Sequence, residues 1–416
     1  MRVFIVGGGG REHAIAWSLK KSPLVSELYM APGNPGMKNL GDCISTDVED
    51  LEGLVSFAVE KKIDLTVVGP EAPLVMGIVD RFREEGLAII GPDKKGAVLE
   101  GSKAYSKTFM EKYNIPTAKS HTTSDYDEGR IRLKEYSFPV VLKADGLAAG
   151  KGVLIAEDQQ EAEKALRKIL VAREFGDAGN EVVIEEFLVG TETSVIAFVD
   201  GNTIVPMASS RDYKRIGDGD RGLNTGGMGT FSPNPAYTKE VEKRVEAEIL
   251  APTLKGIQEE GMDYRGIIFI GIMITKEGPK VLEYNVRFGD PETQVILSRL
   301  DSDLAEIFLS LLKGELSTME IQWKKEAALC LILASQGYPE AYEKGKVIQG
   351  VDQVDEKTVV FHSGTKLEDG QLKTNGGRVL GVTSMDETLE KARKRAYQNG
   401  KRIFFEGKTQ RGDIGL

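Results

Sequence analysis

Three stretches of the 416-residue chain carry side chains whose types and spacing could do phosphate chemistry. The first, Lys143-Ala144-Asp145-Gly146-Leu147-Ala148-Ala149-Gly150-Lys151-Gly152, is a glycine-rich turn with one lysine at its base and one near its tip. It lacks the Ser or Thr and the following helix of a P-loop, because Gly152 and the apolar run Val153-Leu154-Ile155 come next. What remains is a hairpin tip that could fold over a polyphosphate, neutralise charge and exclude water, or else a plain solvated turn. The second stretch is Val281-Leu282-Glu283-Tyr284-Asn285, where strand alternation puts Glu283 and Asn285 on one face and Leu282 and Tyr284 on the other. Two oxygen donors on one face suit Mg2+, a hard ion held by few protein ligands plus phosphate oxygens. Arg287, two residues on, can reach the same side and stabilise negative charge on a transferring phosphoryl group or a tetrahedral intermediate. Asp290 joins this group or caps the helix that follows. The third stretch runs from Arg211-Asp212-Tyr213-Lys214-Arg215 through Gly217-Asp218-Gly219-Asp220 to Asn224-Thr225-Gly226-Gly227-Met228-Gly229. Its length and mixed charge suggest a grip on a phosphorylated polar substrate.

A fourth cluster, Gly7-Gly8-Gly9-Gly10 after the apolar run Val3 to Val6, invites a dinucleotide reading, but the pattern does not complete. The third glycine of G-x-G-x-x-G falls on Glu12 or His13, and the second strand ends at Ala31-Pro32-Gly33 without an acidic ribose clamp. A structural turn and a site for another phosphate or polar ligand both stay open, with Arg11 at the helix start reinforcing the latter.

The elements that must position these residues follow from periodicity. Residues 1 to about 101 alternate short apolar runs with amphipathic segments, which implies βαβ units and a parallel sheet whose strands end at Gly7, at Gly69-Pro70-Glu71 and at Gly91-Pro92. Ligands bind at such carboxyl ends. From 102 to 324 the pattern turns to hairpins and mixed α+β, with strands at Phe138–Lys143, Val153–Ala156, Gly266–Ile274 and Lys280–Val286 and a helix from Pro291 to near Leu312. Residues 325–416 form a β-rich region with glycines marking tight turns.

Composition narrows the function classes. Lys+Arg 54 against Asp+Glu 64 leaves a net charge of -10, so bulk attraction to nucleic acid or an anionic membrane is not expected. Two cysteines and three histidines argue against a disulfide framework and a His/Cys metal site, and no apolar run approaches a membrane span. A cytoplasmic protein is expected. The 47 glycines, about 11% against a usual 7% or so, point to backbone-lined ligand loops.

Taken in order along nearly the whole chain, these segments resemble the glycinamide ribonucleotide synthetases of the ATP-grasp superfamily. The blocks are Gly8-Gly9-Gly10-Arg11-Glu12-His13-Ala14, Gly69 to Leu74, Ser102-Lys103-Ala104, Lys143 to Val153, Asn224 to Gly229, Arg287-Phe288-Gly289-Asp290-Pro291-Glu292-Thr293-Gln294, Thr374-Asn375-Gly376-Gly377-Arg378-Val379-Leu380 and Arg411-Gly412-Asp413-Ile414-Gly415. The resemblance implies an α/β and α+β multidomain fold: a Rossmann-like substrate domain (1–101), an ATP-grasp domain (102–324) with a small lid at about 120–190, and a β-rich C-terminal domain (325–416). It implies ATP-dependent ligation of glycine to 5-phosphoribosylamine through a glycyl phosphate, in a monomer or weak dimer. ATP would contact Lys103, Lys143, Gly150, Lys151 and Gly152, the adenine hinge Glu185-Glu186-Phe187-Leu188, and Glu192 at the ribose. Glu283 and Asn285 would carry Mg2+ or Mn2+, and Arg287, Lys143 and Lys151 would be catalytic. Substrates would meet Gly9, Gly10, Arg11, Glu12, Gly69, Pro70, Glu71, Asp212, Lys214, Arg215, Asn224 and Asp290. Two departures stand out: Arg211 and Tyr213 where the family has Gln and His, and Val286 where a Cys is common.

Overall fold

A computed structural model describes residues 1–148 and 152–416. The N-terminal strands β1 (Arg2–Gly7), β2 (Glu27–Pro32), β3 (Asp42–Cys43), β4 (Leu65–Val68) and β5 (Ile89–Pro92) form a parallel sheet in the order β3-β2-β1-β4-β5. Val3, Phe4, Ile5 and Val6 are completely buried, as expected of a parallel strand covered on both faces. β1 is flanked by β2 and β4, so the chain winds away in both directions from its carboxyl end, where Gly7 to Gly10 lead into helix α1 (Gly10–Leu19). That crevice is where open α/β sheets collect ligands.

Four antiparallel strands, β6 (Ser120–Thr123), β7 (Val140–Ala144), β8 (Val153–Ala156) and β9 (Val182–Glu186), form a separate small sheet in the order β6-β9-β7-β8. Its apolar face is closed by the helix Gln159–Leu166, with Ala162, Leu166 and Ile169 packed under Val140, Leu142 and Ile184.

The central strands β10 (Thr191–Val199) and β11 (Ile204–Pro206) belong to the same sheet as the N-terminal strands. The short strands β12 (Arg211–Asp212), β13 (Arg215–Gly217), β14 (Arg221–Asn224) and β15 (Gly229–Ser232) follow, then the long hairpin β16 (Tyr264–Ile274) and β17 (Pro279–Asn285). β16 pairs with β5 through Tyr264↔Pro92 and Arg265↔Gly91, which makes one nine-stranded sheet out of two regions of sequence.

Beyond these come β18 (Ala327–Ser335), β19 (Thr358–His362), the hairpin β20 (Thr365–Glu368) and β21 (Gln371–Thr374), β22 (Arg378–Asp386) and β23 (Lys408–Thr409). The C-terminal sheet runs β12-β15-β18-β22-β19, with β23 also on β18, so residues 211–232 lend it two strands. The helix Leu389–Arg402 covers it with Ala392 and Ala396. No helix among the described residues is long and apolar enough to cross a membrane.

Two local expectations are corrected. The helix after Pro291 is broken into Glu292–Arg299 and Leu304–Lys313, because Asp303 starts a second helix by accepting the Ala305 N–H. Strict alternation in β17 also fails, since Gly271 faces Glu283 while Ile272 faces Val281, leaving Leu282 as the extra residue of a bulge. Leu282 therefore joins Glu283 at the cavity described below, while Val281 turns into the core and Tyr284, buried there too, also borders the cavity.

Candidate functional site

A cavity of about 830 Å3 opens between the small four-stranded sheet, the β16–β17 hairpin and the 211–226 segment. One end is apolar: Val141 on β7, Val153 and Ile155 on β8, Met110, Met273 and Leu282 line it beside Glu186, Phe187 and Leu188, where the chain leaves β9. A flat aromatic ligand fits such walls.

Deeper in, the lining becomes cationic. Glu185, almost fully buried, holds Lys143 Nζ at 3.0 Å and Lys107 Nζ at 3.3 Å, while Lys143 also donates to the Leu282 carbonyl, a bond opened by the bulge. The Glu185 carboxylate thus sets two lysines, and its side chain is turned to them. Lys103, in the first turn of the helix Lys103–Lys112, donates to the Gly146 carbonyl at 2.7 Å. Burial lowers the pKa of Lys103 and brings that of Lys107 down to about 8. Extra negative charge would stabilise both ammonium groups.

The third wall holds the carboxylates. Lys214 Nζ bridges Glu192 at 2.7 Å and Glu283 at 3.1 Å. Lys214 keeps the Glu283 carboxyl down at about 2 despite its burial, so this group is ionised under all ordinary conditions. Asn285 Oδ1 accepts from Arg287, whose guanidinium also pairs with Glu71 at 3.2 Å and Glu100 at 3.0 Å. Burial raises Glu100 to about 7 against the pull of Arg287, whereas for Glu71 burial is outweighed by Arg287 and Arg11, and its pKa is lowered. Asp212 and Glu292 are raised, first by burial, and for Asp212 also by the charge of Glu292; Glu292 is fixed by the Ser194 hydroxyl at 2.9 Å.

An oxygen-donor pair made of an ionised carboxylate and an amide, both lining the cavity, suits a hard divalent ion that draws its other ligands from phosphate and water. Among the described residues no group of three or more His, Cys, Asp or Glu forms a self-sufficient metal site. The residues present fit an ion that arrives with a nucleotide.

A second cavity, about 430 Å3, lies at the carboxyl end of β1. Gly7, Gly8, Gly9, Arg11 and Glu12 face Ser363, Thr365 and Asn375 of the C-terminal region across it. Arg11 and Asp290 line both cavities, which therefore meet there. Asp290 does not cap the following helix: its Oδ1 accepts from Gln294 and its Oδ2 pairs with Arg378 at 3.2 Å, which also donates to the Gly226 and Asp290 carbonyls. Burial pushes Asp290 up, but Arg378 and Arg11 hold it below its ordinary value.

Of the residues singled out from sequence, Lys103, Lys143, Gly152, Glu185, Glu186, Phe187, Leu188, Glu192, Glu71, Arg11, Asp212, Lys214, Arg215, Asn224, Asp290, Glu283, Asn285 and Arg287 line the large cavity. Gly9, Glu12 and Pro70 line the small one. Gly150 and Lys151 lie outside the described residues. Gly10 and Gly69 line neither: a Cβ on Gly10 would strike Ser363 Oγ and Gln294 Nε2, and one on Gly69 would strike the Glu12 carboxylate, so both make room for neighbours. Tyr213, at a departure from the family pattern, is buried and does not line the cavity; the guanidinium groups of Arg211 and Arg411 lie 5.1 and 4.8 Å from its ring centre. Sequence reasoning assigned no role to Lys107, Glu100, Glu292, Ser363, Thr365 or Arg378. Lys107 follows Lys103 by one helical turn, and Arg378 directly follows Asn375-Gly376-Gly377, which were the available signals.

The comparisons with known proteins agree along the whole chain. Family models described as the phosphoribosylglycinamide synthetase N domain, ATP-grasp (A) domain and C domain match residues 1–100, 101–293 and 328–416. The chain is 49% identical over 419 residues to the phosphoribosylamine–glycine ligase of Vibrio parahaemolyticus, covering 100% of this chain and 98% of that protein. It is 50% identical over 415 residues to the same-named enzyme of Clostridium acetobutylicum, covering 100% and 99%. Among solved structures it resembles the phosphoribosylamine–glycine ligase of Thermotoga maritima, with a TM-score of 0.87 at 38% identity and complete coverage of both chains. The biotin carboxylase domain of Hydrogenobacter thermophilus 2-oxoglutarate carboxylase, solved with MgADP, shares the fold at a TM-score of 0.76 and 17% identity, over 98% of this chain and 91% of that one.

Proposed function

This chain belongs to the phosphoribosylglycinamide synthetase family and catalyses the ATP-dependent ligation of glycine to phosphoribosylamine in purine biosynthesis, and on that premise we propose how its residues divide the work. The large cavity takes ATP, with the adenine between Val141, Ile155 and Leu282 beside the 185–188 turn, the ribose at Glu192, and the phosphates at Lys103 and Lys143. Gly150, Lys151 and Gly152 complete the phosphate grip. The substrate domain spans 1–101, the ATP-grasp domain 102–324 with a lid at about 120–190, and the C-terminal domain 325–416.

The chemistry requires an acid group to be made into an acyl donor. Glycine's carboxylate oxygen attacks the γ-phosphorus, the bond to the bridging oxygen breaks, and ADP leaves. The nitrogen of phosphoribosylamine then attacks the glycyl carbonyl, phosphate departs with one former carboxylate oxygen, and the nitrogen loses a proton. Neither step calls for a side-chain nucleophile, so the protein acts by positioning and charge compensation. Arg287, restrained by Glu71 and Glu100, presents its fork to the carboxylate and the transferring phosphoryl group. Lys143, set by Glu185, offsets charge on the β- and γ-phosphates. Asp212 and Asp290 receive the amino groups of the substrates, with Lys214, Arg215 and Asn224 closing the wall. Glu283 and Asn285 would hold Mg2+ or Mn2+, which when bound would neutralise phosphate charge.

The small cavity takes the sugar phosphate of phosphoribosylamine, supported by the amino-terminal end of α1, Arg11 and the hydroxyls of Ser363 and Thr365. Its connection to the large cavity at Arg11 and Asp290 brings the attacking amine to the acyl donor.

The observation that carries this reading is the convergence of paired lysines, an ionised carboxylate beside an amide, and a restrained arginine on one cavity. Phosphate release measured with ATP, Mg2+, glycine and phosphoribosylamine, each omitted in turn, tests it. Sustained release only with all four supports the assignment; equal release without glycine overturns it. A cytoplasmic monomer is the form proposed, to be tested by sedimentation of the full chain.

A further inference from the structure

His13 has no place in the division of work above, yet it sits at the joint between the two walls of the small cavity. It lies on α1 one residue beyond Glu12 and is buried. Its Nδ1 accepts the backbone N–H of His362 at 2.9 Å, a contact across 349 residues of sequence. His362 in turn ends β19, and its own Nδ1 lies 3.1 Å from the Thr365 hydroxyl, which lines the cavity. Asn34 closes the joint by donating to the carbonyls of both Gly8 and His362 at 2.9 Å.

The ring is closely packed. A Cβ on Gly36 would meet His13 Cε1 and His362 Cδ2, each at 2.5 Å, and the His13 ring stands edge-on to Phe361 at 5.4 Å. Because a backbone N–H always donates, Nδ1 must be the unprotonated nitrogen and the proton must sit on Nε2. Burial, helped by His362, brings the His13 pKa down to about 3, in keeping with a permanently neutral acceptor.

We propose that His13 is a positioning residue for the phosphoribosylamine partner: through the Nδ1 bond to His362 it sets Ser363 and Thr365 opposite Gly9 and Arg11, so that both walls grip one sugar phosphate. This rests on the assignment of the small cavity to that substrate. His13 touches no reacting atom. Its loss separates the walls and weakens capture of the amine substrate, while ATP and glycine, held in the other cavity, are unaffected.

Two substitutions separate positioning from bulk. In His13→Asn the amide oxygen branches from Cγ, as Nδ1 does, and can accept the His362 N–H; in His13→Gln the amide lies one bond further out and cannot reach the same point. The full-length enzyme, assayed with saturating ATP and glycine and varied phosphoribosylamine, should show His13→Asn within about twofold of the parent KM. His13→Gln should raise that KM by about five- to tenfold, the scale of one lost buried hydrogen bond, with the KM values for ATP and glycine unchanged. Equal KM values for phosphoribosylamine in the two variants, or parallel rises for all three substrates, would overturn the proposal. The doubly substituted Ser363→Ala/Thr365→Val enzyme checks the underlying assignment: an unchanged phosphoribosylamine KM there rejects the small cavity as its site. A raised KM there with a silent His13→Gln rejects only the role of His13.

Discussion

The two cavities meet at Arg11 and Asp290 but are built in opposite ways. The large one is lined by charged side chains held in fixed pairs: Lys143 and Lys107 on Glu185, Lys214 on Glu192 and Glu283, Arg287 on Glu71 and Glu100. The small one is walled by glycine backbone, the hydroxyls of Ser363 and Thr365 and the amides of Asn34 and Asn375, with Arg11 held by Glu12 and the wall spacing set by neutral hydrogen bonds at His13 and Asn34. Charge pre-arranged before substrate arrives suits a site where charge develops in the transition state. A site walled mainly by backbone, hydroxyls and amides, whose spacing is set by hydrogen bonds, suits recognition of a partner that need only be delivered. The first should therefore govern turnover and the second should govern capture.

The sharpest break of this contrast is Glu283→Ala. It removes an ionised donor but no core side chain, so turnover measured by ADP release should fall at least about a hundredfold, with the melting temperature little changed. Near-parental rates at saturating Mg2+ would contradict the assignment. Arg287→Lys comes next, because a point charge cannot keep the contacts to Glu71, Glu100 and Asn285 together. A fall in kcat of about a hundredfold, with the phosphoribosylamine KM held, is expected from steady-state kinetics; an intact kcat would remove the arginine from the chemistry.

The neutral joint should reveal itself by pH. Folded His13 and His362 have pKa values of about 3 and about 4, against 6.5 for the free side chain. Between those limits the unfolded chain binds more protons, so stability from these residues is complete above pH 6.5 and falls as pH drops towards 4. At pH 5 each histidine accounts for a loss of about 2 kcal/mol. Urea unfolding should therefore show the parent losing about that much more stability than His13→Asn from pH 7 to pH 5. A difference that stays constant would mean that His13 is not buried neutral.

The smallest effect belongs to Arg378→Lys, at the seam. Arg378 ties Asp290 to the Gly226 carbonyl, and losing the fork should raise the KM values of both glycine and phosphoribosylamine about fivefold. A rise in only one of them would show that the cavities work more independently than their shared lining suggests.

The same contrast explains what could be read from residues alone. Lys103, Lys143, Glu283, Asn285 and Arg287 announce themselves by residue type and strand or helix spacing, and all line the large cavity. The bulge at Leu282 was hidden because it is set by pairing with β16, as was the break at Asp303, where a local cap overrides a continuing apolar pattern. Ser363 and Thr365 were invisible for a different reason. Hydroxyls carry no charge signature, and their place opposite Gly9 depends on a hydrogen bond spanning almost the full chain. The union of residues 211–232 with the C-terminal sheet was likewise unreadable, since strands two to four residues long give almost no periodicity.

In the reaction proposed, the terminal phosphate of ATP activates glycine's acid group before the amine captures it. The most direct measurement supplies glycine labelled with oxygen-18 in both carboxylate oxygens and determines the label in the released phosphate by mass spectrometry. One labelled oxygen per phosphate is the result predicted, because the departing phosphate carries away a carboxylate oxygen. Phosphate free of label, with ligation proceeding at its normal rate, would contradict the account.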